Sequence, residues 1–480
     1  MQLLNRQKPE KRLSLITNFN QKQFIFACKY KEQLLGIKMN LIKDDVRKLF
    51  YRFLIPAVSS AVAVAIYSLV DTIAIGQGVG PEGTAACALL LPVFSIASFI
   101  ALLCGIGGSV LMSRARGEGN EEKGNAYFTV ATVLVSVLTL VVWLFGNIFC
   151  EPFYRLCGAD DILLPYTEEY GSWIFAFMPS FIMTSFLGCF VRTDGSPRFV
   201  MISTLIGGVI NIIGDWLFVF PFNMGMKGAA IATVIGSVIQ TLLLLGFIFL
   251  KKTSLRLVNP FEWMTSIAKI LSTGCSSGMG GLALIAVSFI ANNQIMKYSG
   301  GSALAVYGVL GTVSALFTSI FSGIGQAVQP IASESFGAGL LDRCWKAEKL
   351  GMKSTIIFGA IFSLVSIAFP IEVAGIFMKM TPEVEAVTPY IMRVFSLSYV
   401  PQAVCVFCGY YLQAVNHPKK ATVISVLRGI VLIGMFLMIF PLFLKGNGIW
   451  WAIFFAESLT ALVCCAYRHK LYKDYLHSKN

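Results

Sequence analysis

The sequence predicts an all-α polytopic membrane protein: twelve transmembrane helices in two six-helix bundles, related by a pseudo-two-fold axis along the membrane normal. Three observations predict it. Of 480 residues, 56% are hydrophobic and only 13% charged, with a mean hydropathy of +0.73, whereas soluble domains carry about 25% charged residues. Apolar runs repeatedly reach the roughly 20 residues that a helical span needs, and the alternating segments of about ten residues that mark a β-barrel are absent. Landmarks of the first half also recur in the second.

Taken in order, residues 1–43 form a polar, basic cytoplasmic extension without the apolar core or small-residue cleavage site of a signal peptide. Met39 is an alternative start, since "MNLIKDDVRKLF" reads as a short amphipathic lead into the first span. Residues 1–38 then read as a cytosolic arm or as a dispensable extension. Apolar runs against their punctuation place helices near 50–76, 84–112, 124–147, 165–190, 197–221 and 226–250 in an N-lobe, residues 44–250. A cytoplasmic linker, 251–264, precedes a C-lobe, 265–468, with helices near 265–291, 302–330, 351–374, 387–412, 419–444 and 448–468. Residues 469–480 form a cytoplasmic tail.

The net charge of +13 does not indicate nucleic acid, because the bases lie in the gaps between apolar runs. "SRARGEGNEEKG", "RTDGSPR", "KKTSLR", "DRCWKAEK", "HPKK" and "YRHKLYK" fall at one set of helix ends with the N-terminal arm. "GQGVGPEG", "EPFYRLCGADD", "NMGMKG", "MKMTPEVE" and "KGNG" fall at the other, with few bases. The positive-inside rule makes the first set cytoplasmic and puts both termini inside.

The repeat is specific. "GIGGSV" at 105–110 matches "GIGQAV" at 323–328, an offset of 218. "RTDGSPRFVM" matches "QAVNHPKKAT", bringing Pro197 onto Pro418, and "FPFNMGMKGAA" matches "FPLFLKGNGIW", bringing Pro221 onto Pro441 and Gly228 onto Gly448. Six helices is an even number, so both repeats enter the membrane in the same direction and leave a cavity between them.

Enzyme motifs fail. There is no GxxxxGK[ST] phosphate loop. Gly274-Cys275-Ser276-Ser277-Gly278 has the form GxSxG but lacks a strand-to-helix turn and a histidine base, because His417, His469 and His477 all fall in cytoplasmic segments. It reads as small-residue packing in the seventh helix. Gly76, Gly78 and Gly80 read as an outer turn. The twelve cysteines are scattered through apolar runs as small hydrophobes, including the isolated pair Cys405 and Cys408. No metal cluster and no cofactor is expected beyond a coupling ion.

Ionisable residues within the spans are then the main signal. Asp71 precedes the outer end of the first helix by about five residues, Asp215 precedes Pro221 by six, and Thr233 is about seven into the sixth helix. All three lie roughly 8–11 Å below the outer ends at 1.5 Å per residue. Asn211, one turn before Asp215, projects from the same face. Two carboxylates, an amide and a hydroxyl at one depth suit a proton or a sodium ion: burial beside a like charge makes protonation accessible, and oxygen ligands suit a hard cation. The alternative is a carboxylate that caps a neighbouring helix. Arg428 and Glu457, each about ten residues inside its helix, form a possible C-lobe polar pair, either a static ion pair or a transport element. Pro56, fifteen residues before Asp71, removes a backbone donor and should kink the first helix, as a hinge or a static bend.

"VDTIAIGQGVGPEGTAA", "GIGQAVQPIASESFGAG" and "RTDGSPRFVMISTLIGGVINIIGDWLFVFPFNMGMKGAAIAT" together resemble the multidrug and toxic compound extrusion (MATE) family, over about residues 44–468. The resemblance implies alternating access about a central cavity and proton- or sodium-driven export of cationic amphiphilic drugs or metabolites. In the branch with an N-lobe ion site, the matching positions are Asp71, Asn211, Asp215 and Thr233, and Pro56 matches the proline at which the first helix bends. The acidic residue of the seventh helix in some members is missing; Asn292, Asn293 and Gln294 stand there, which favours N-lobe coupling.

The expectation is an antiporter of the bacterial inner membrane, a monomer whose partners are a small cationic amphiphile and the lipid bilayer. A lipid-linked oligosaccharide flippase of the same superfamily is the alternative. It should line its cavity with several bases, and here bases within the spans are nearly confined to Arg393 and Arg428. A membrane enzyme lacks the catalytic clusters it would need, and the two-lobe repeat disfavours a channel.

Overall fold

The computed structural model describes residues 39–249, 253–260, 262–378 and 380–477; for 281–286 it describes the backbone alone. The extension 1–38 lies outside the described residues, as does part of the linker 251–264.

All regular structure among the described residues is helical. The first half contains α1 (Val46–Gly78), α2 (Pro81–Leu89), α3 (Leu91–Gly117), α4 (Glu121–Ile148), α5 (Cys150–Leu156), α6 (Leu164–Ala176), α7 (Met178–Thr193), α8 (Pro197–Val219) and α9 (Gly225–Phe249). The second contains α10 (Trp263–Tyr298), α11 (Gly300–Gly337), α12 (Leu341–Ala368), α13 (Pro370–Gly375), α14 (Pro382–Ser396), α15 (Tyr399–Ala414), α16 (Pro418–Val426) and α17 (Leu432–His477), with a π-turn at Leu427–Val431 between the last two. Among the described residues nine runs are long and apolar enough to span a bilayer, and the pair α6 and α7, bent by 51°, makes a tenth. The 36-residue α10 has the length of an eleventh. The final run divides at Lys445, whose φ of 48° and ψ of −137° interrupt the helix, and so supplies the twelfth.

Helix starts follow local chemistry. Asp45 accepts from the Lys48 amide at 3.0 Å, and Asn120 accepts from that of Lys123 at 2.8 Å, satisfying donors that a first turn leaves free. Pro197 and Pro418, one repeat apart, both sit in the first turn of their helices, where a missing N–H is harmless. Gly228 and Gly448 match as well. A Cβ on the first would stand 3.0 Å from the Phe218 backbone, and one on the second 2.5 Å from the Phe440 carbonyl oxygen. In both repeats the returning helix is pressed against the backbone of its predecessor.

Several ends differ from the sequence expectation, among them these three. α12 begins at Leu341 rather than near 351, α17 runs to His477 rather than 468, and α10 runs to Tyr298, through Asn292–Gln294. Hydropathy falls at those turns, so they read as loops; tertiary contacts keep them helical. Arg468 Nε donates to Glu348 Oε1 at 2.6 Å, and Trp345 meets Tyr472 edge-on at 5.2 Å, joining the polar ends of α12 and α17. The described linker residues lie on the first half: the amides of Ser254 and Val258 donate to Asp194 Oδ2 and Thr129 Oγ1, both at 3.0 Å.

The two halves meet at the end that bears the bases. A Cβ on Gly274 of α10 would overlap the Leu103 carbonyl of α3, and one on Gly337 of α11 would overlap that of Arg114. Ser113 Oγ donates to the Pro330 carbonyl at 3.3 Å, and Arg192 of α7 donates to Gln326 of α11. The first turns of α1 (Val46, Leu49, Phe50, Phe53) are buried among second-half residues such as Ile324, Val328 and Ala347. Towards the other end the apolar clusters separate by half, with Ile75, Leu90 and Tyr170 in one and Ile295, Val306 and Trp450 in another.

This backbone-to-backbone approach makes a prediction. Gly274→Val cannot be accommodated without parting α3 from α10. Cys189 of α7, buried at 7% exposure against α3 at Gly105 and Ile106 and beside Tyr410 of the second half, is expected to react several-fold faster with a membrane-impermeant maleimide added at the basic end. Unchanged labelling would contradict the packing described.

Candidate functional site

α8 and α9 cross without side chains between them. A Cβ on Gly207 would stand 2.8 Å from the Gly236 carbonyl oxygen, and one on Gly236 would stand 2.7 Å from that of Gly207. Two turns further along α8, Gly214 leaves room for Ala232, whose Cβ an added methyl would approach to 2.8 Å. Such close crossings by small residues are how helices associate in lipid. Here the crossing brings Asn211 of α8 to Thr233 of α9, with Asn211 Nδ2 donating to Thr233 Oγ1 at 3.2 Å.

Thr233 Oγ1 in turn donates to Asp71 Oδ1 at 3.3 Å, linking α1 to the pair. Asp215, one turn from Asn211, has no solvent exposure, and its carboxyl lies within hydrogen-bonding reach of that of Asp71. Neither oxygen of Asp215 meets a donor, and neither does Asn211 Oδ1. Several oxygens thus converge from three helices with too few donors. Unsatisfied buried acceptors are unfavourable by about 1–3 kcal/mol each and more when charged, a penalty that a positive partner among these oxygens would relieve. Its oxygens suit a proton or a hard cation, with Asp71, Asp215, Asn211 and Thr233 as the residues that would hold it.

Two tyrosines belong to the site and are absent from the sequence expectation. Tyr170 of α6, at 2% exposure, donates its hydroxyl to Asp71 Oδ2 at 3.3 Å. Tyr67, one turn before Asp71, packs its ring over Gly208, where a Cβ would come within 2.8 Å. The depth count would have found Tyr170, which lies six residues inside α6, about 9 Å along its axis. Beneath the cluster a cavity of about 110 Å³ is lined by Tyr67, Asn211, Thr233, Ser237, Gln240 and Thr184. A hydrogen bond to a charged group is worth about 1.5–3 kcal/mol. Because this hydrogen bond favours the ionised form of Asp71, Tyr170→Phe is expected to strengthen proton uptake at the cluster by about tenfold without loss of folded protein, read as a shift of the pH dependence of transport to higher pH.

The remaining candidates lie elsewhere. Arg428 Nε donates to both Glu457 oxygens, at 2.7 and 2.9 Å, from the π-turn into α17. Pro56 is buried inside α1, which continues helically through it, and its carbonyl accepts from Ser60 Oγ at 2.8 Å. Gly274–Gly278 is helical and packed on α3, while Cys405 and Cys408 are free and buried. Arg393 lies at the α14 C-terminus and donates to the Ile367 carbonyl at 3.3 Å.

Comparison with known proteins agrees with the repeat and the fold. The model of the MatE family matches residues 56–217 and again 278–439, two matches beginning 222 residues apart. The chain is 25% identical over 428 residues to the multidrug export protein MepA of Staphylococcus saprophyticus, covering 88% of this chain and 93% of that protein. It is 24% identical over 402 residues to an FAD transporter of Shewanella oneidensis, covering 82% and 87%. Among solved structures, a MOP superfamily transporter from Pyrococcus furiosus superposes with a TM-score of 0.85 at 20% identity, covering 91% of this chain and 98% of that one. A multidrug resistance MATE family transporter in an outward-facing conformation gives 0.84 at 20% identity, with the same coverage. With both halves matched in register, the chain belongs to the MATE family and is a multi-pass membrane transporter, not an enzyme.

Proposed function

We propose that the protein is a secondary antiporter that exports cationic amphiphilic drugs or metabolites in exchange for protons or sodium by alternating access. One observation carries this reading: Asp215 is fully buried with neither oxygen satisfied, against a second carboxyl, that of Asp71. Two carboxylates this close repel, and a proton shared between them, or a sodium ion among the oxygens of Asp71, Asn211, Asp215 and Thr233, offsets the repulsion. The ion enters from the end opposite the bases, which is outside if the positive-inside rule holds, with both termini in the cytoplasm. Coupling requires that ion and substrate prefer different states; closure of the halves at the basic end supplies one of them. The names of the relatives include multidrug export, and aromatic and acidic groups suit a cationic amphiphile. The chain works as a monomer, with the coupling ion as its sole cofactor. Pro56 is the hinge of α1 in this scheme.

The test is ethidium uptake into everted vesicles under imposed proton and sodium gradients, applied separately. One gradient is expected to drive transport and the other to leave it at background. If neither gradient moves ethidium, antiport is wrong and the flippase reading replaces it.

A further inference from the structure

A second, larger cavity, of about 480 Å³, opens at the basic end between the two halves. From the first half it is lined by Arg114 at the end of α3 and by Lys123 in the first turn of α4. From the second it is lined by Lys269 and Ser272 in the opening turns of α10 and by Asn416 in the turn after α15. Glu118 is the one carboxylate among these walls, and it is already engaged by Lys123 at 3.0 Å on the surface.

The two other cations make no direct ion pair among the described residues, and Glu118, bonded to Lys123, acts on Arg114 only through space. Arg114 is half-buried, and its guanidinium is directed to neutral acceptors: Nη1 donates to Asn416 Oδ1 at 2.6 Å and Nη2 to the Gln413 carbonyl at 3.4 Å, with the Phe336 ring 5.6 Å below. Its Nε is buried without an acceptor. Lys269 is exposed to the cavity mouth and makes no hydrogen bond or ion pair. A guanidinium taken partly out of water without a carboxylate is an unfavourable arrangement that an anion would relieve, and the guanidinium and ammonium groups suit phosphate oxygens. The setting adds a second requirement. Just before the lining turns of α10, Trp263 and Met264 stand 39% and 81% exposed, and Leu257 stands 69% exposed. An aromatic and two long apolar side chains beside basic residues at a helix end form the boundary where headgroups meet acyl chains.

We propose that this cavity binds the phosphate of an anionic phospholipid, with Arg114 and Lys123 contributed by one half and Lys269 by the other. Bound there, the lipid bridges α3 and α4 to α10 at the seam where the halves close, and so stabilises the closed basic end. A free phosphate offers the same headgroup chemistry without the acyl chains, and the experiment separates the two.

The full-length protein, purified in detergent, is titrated with phosphatidylglycerol, phosphatidylcholine or inorganic phosphate while thermal unfolding is followed. Phosphatidylglycerol is expected to raise the midpoint by several degrees, an effect that shrinks at high salt, while phosphatidylcholine has little effect. Lys269→Gln removes an exposed charge that makes no ion pair, while Lys123→Gln also gives up its exposed pair with Glu118, and each is expected to lose at least half the shift. Native mass spectrometry should show one retained phosphatidylglycerol fewer in Lys269→Gln. If that variant keeps the full shift, or if phosphatidylcholine matches phosphatidylglycerol, the site is not there. If inorganic phosphate reproduces the whole effect, the lipid assignment is overturned.

Discussion

Asp215→Asn is expected to reduce gradient-driven uptake to the level of vesicles without the protein, with normal expression and a thermal midpoint at or slightly above that of the native chain. The substitution changes no volume. It replaces a fully buried carboxyl that lacks donors by an amide that needs no counter-ion, so the fold loses nothing and the repulsion with Asp71 disappears. What is lost is the ability to gain or lose a positive partner, and no amide supplies that. Asp71→Asn is expected to abolish coupling as well, but with a stability loss of about 1 kcal/mol. Asp71 accepts from both Tyr170 and Thr233, and an amide has one acceptor oxygen to offer them. Native rates of gradient-driven uptake in either variant, measured in the same vesicles, would remove the site from the mechanism.

Glu457→Gln is expected to have the second large effect, on stability. Glu457 is 4% exposed at its side chain and Arg428 23%, and both carboxylate oxygens accept from the one Nε. Removing one partner of a buried pair costs about 3–5 kcal/mol, because the other charge is left uncompensated. The partial exposure of Arg428 brings the expectation to about 2–3 kcal/mol. Replacing both, Arg428→Met with Glu457→Leu, should recover most of that loss in thermal unfolding, since apolar side chains pack there without a desolvation penalty. The double variant also decides what the pair is for. A stable protein with native efflux makes it a static strut across the π-turn, where local irregularity often marks function; a stable protein without efflux makes it part of the transport cycle.

Much of the site was legible because depth along a helix can be counted from sequence. Asp71, Asn211, Asp215 and Thr233 were selected by residues from a helix end, and they meet in the structure through the bonds of Thr233 to Asp71 and Asn211 to Thr233. Tyr170 escaped because a tyrosine in an apolar span is unremarkable by composition, and its role depends on where the α6–α7 bend of 51° places it. The polar ends of α12 and α17 escaped for a related reason. "DRCWKAEK" and "YRHKLYK" have the hydropathy of loops, and only the pairing of Glu348 with Arg468 shows why they stay helical. Gly274 was legible as a packing residue, yet its partner, the Leu103 carbonyl in the other half, was not.

The sequence by itself determined the membrane class, the helices, the repeat and the depth of the buried carboxylates, because each depends on the hydropathy and spacing of residues close in the chain. The tertiary structure decided which end of the two halves is closed, which acceptors are left without donors, and that Arg114 and Lys269 line one cavity from the two halves. Those are properties of residues hundreds of positions apart. They are fixed by how closely glycine-lined helices approach, a distance that no local pattern encodes.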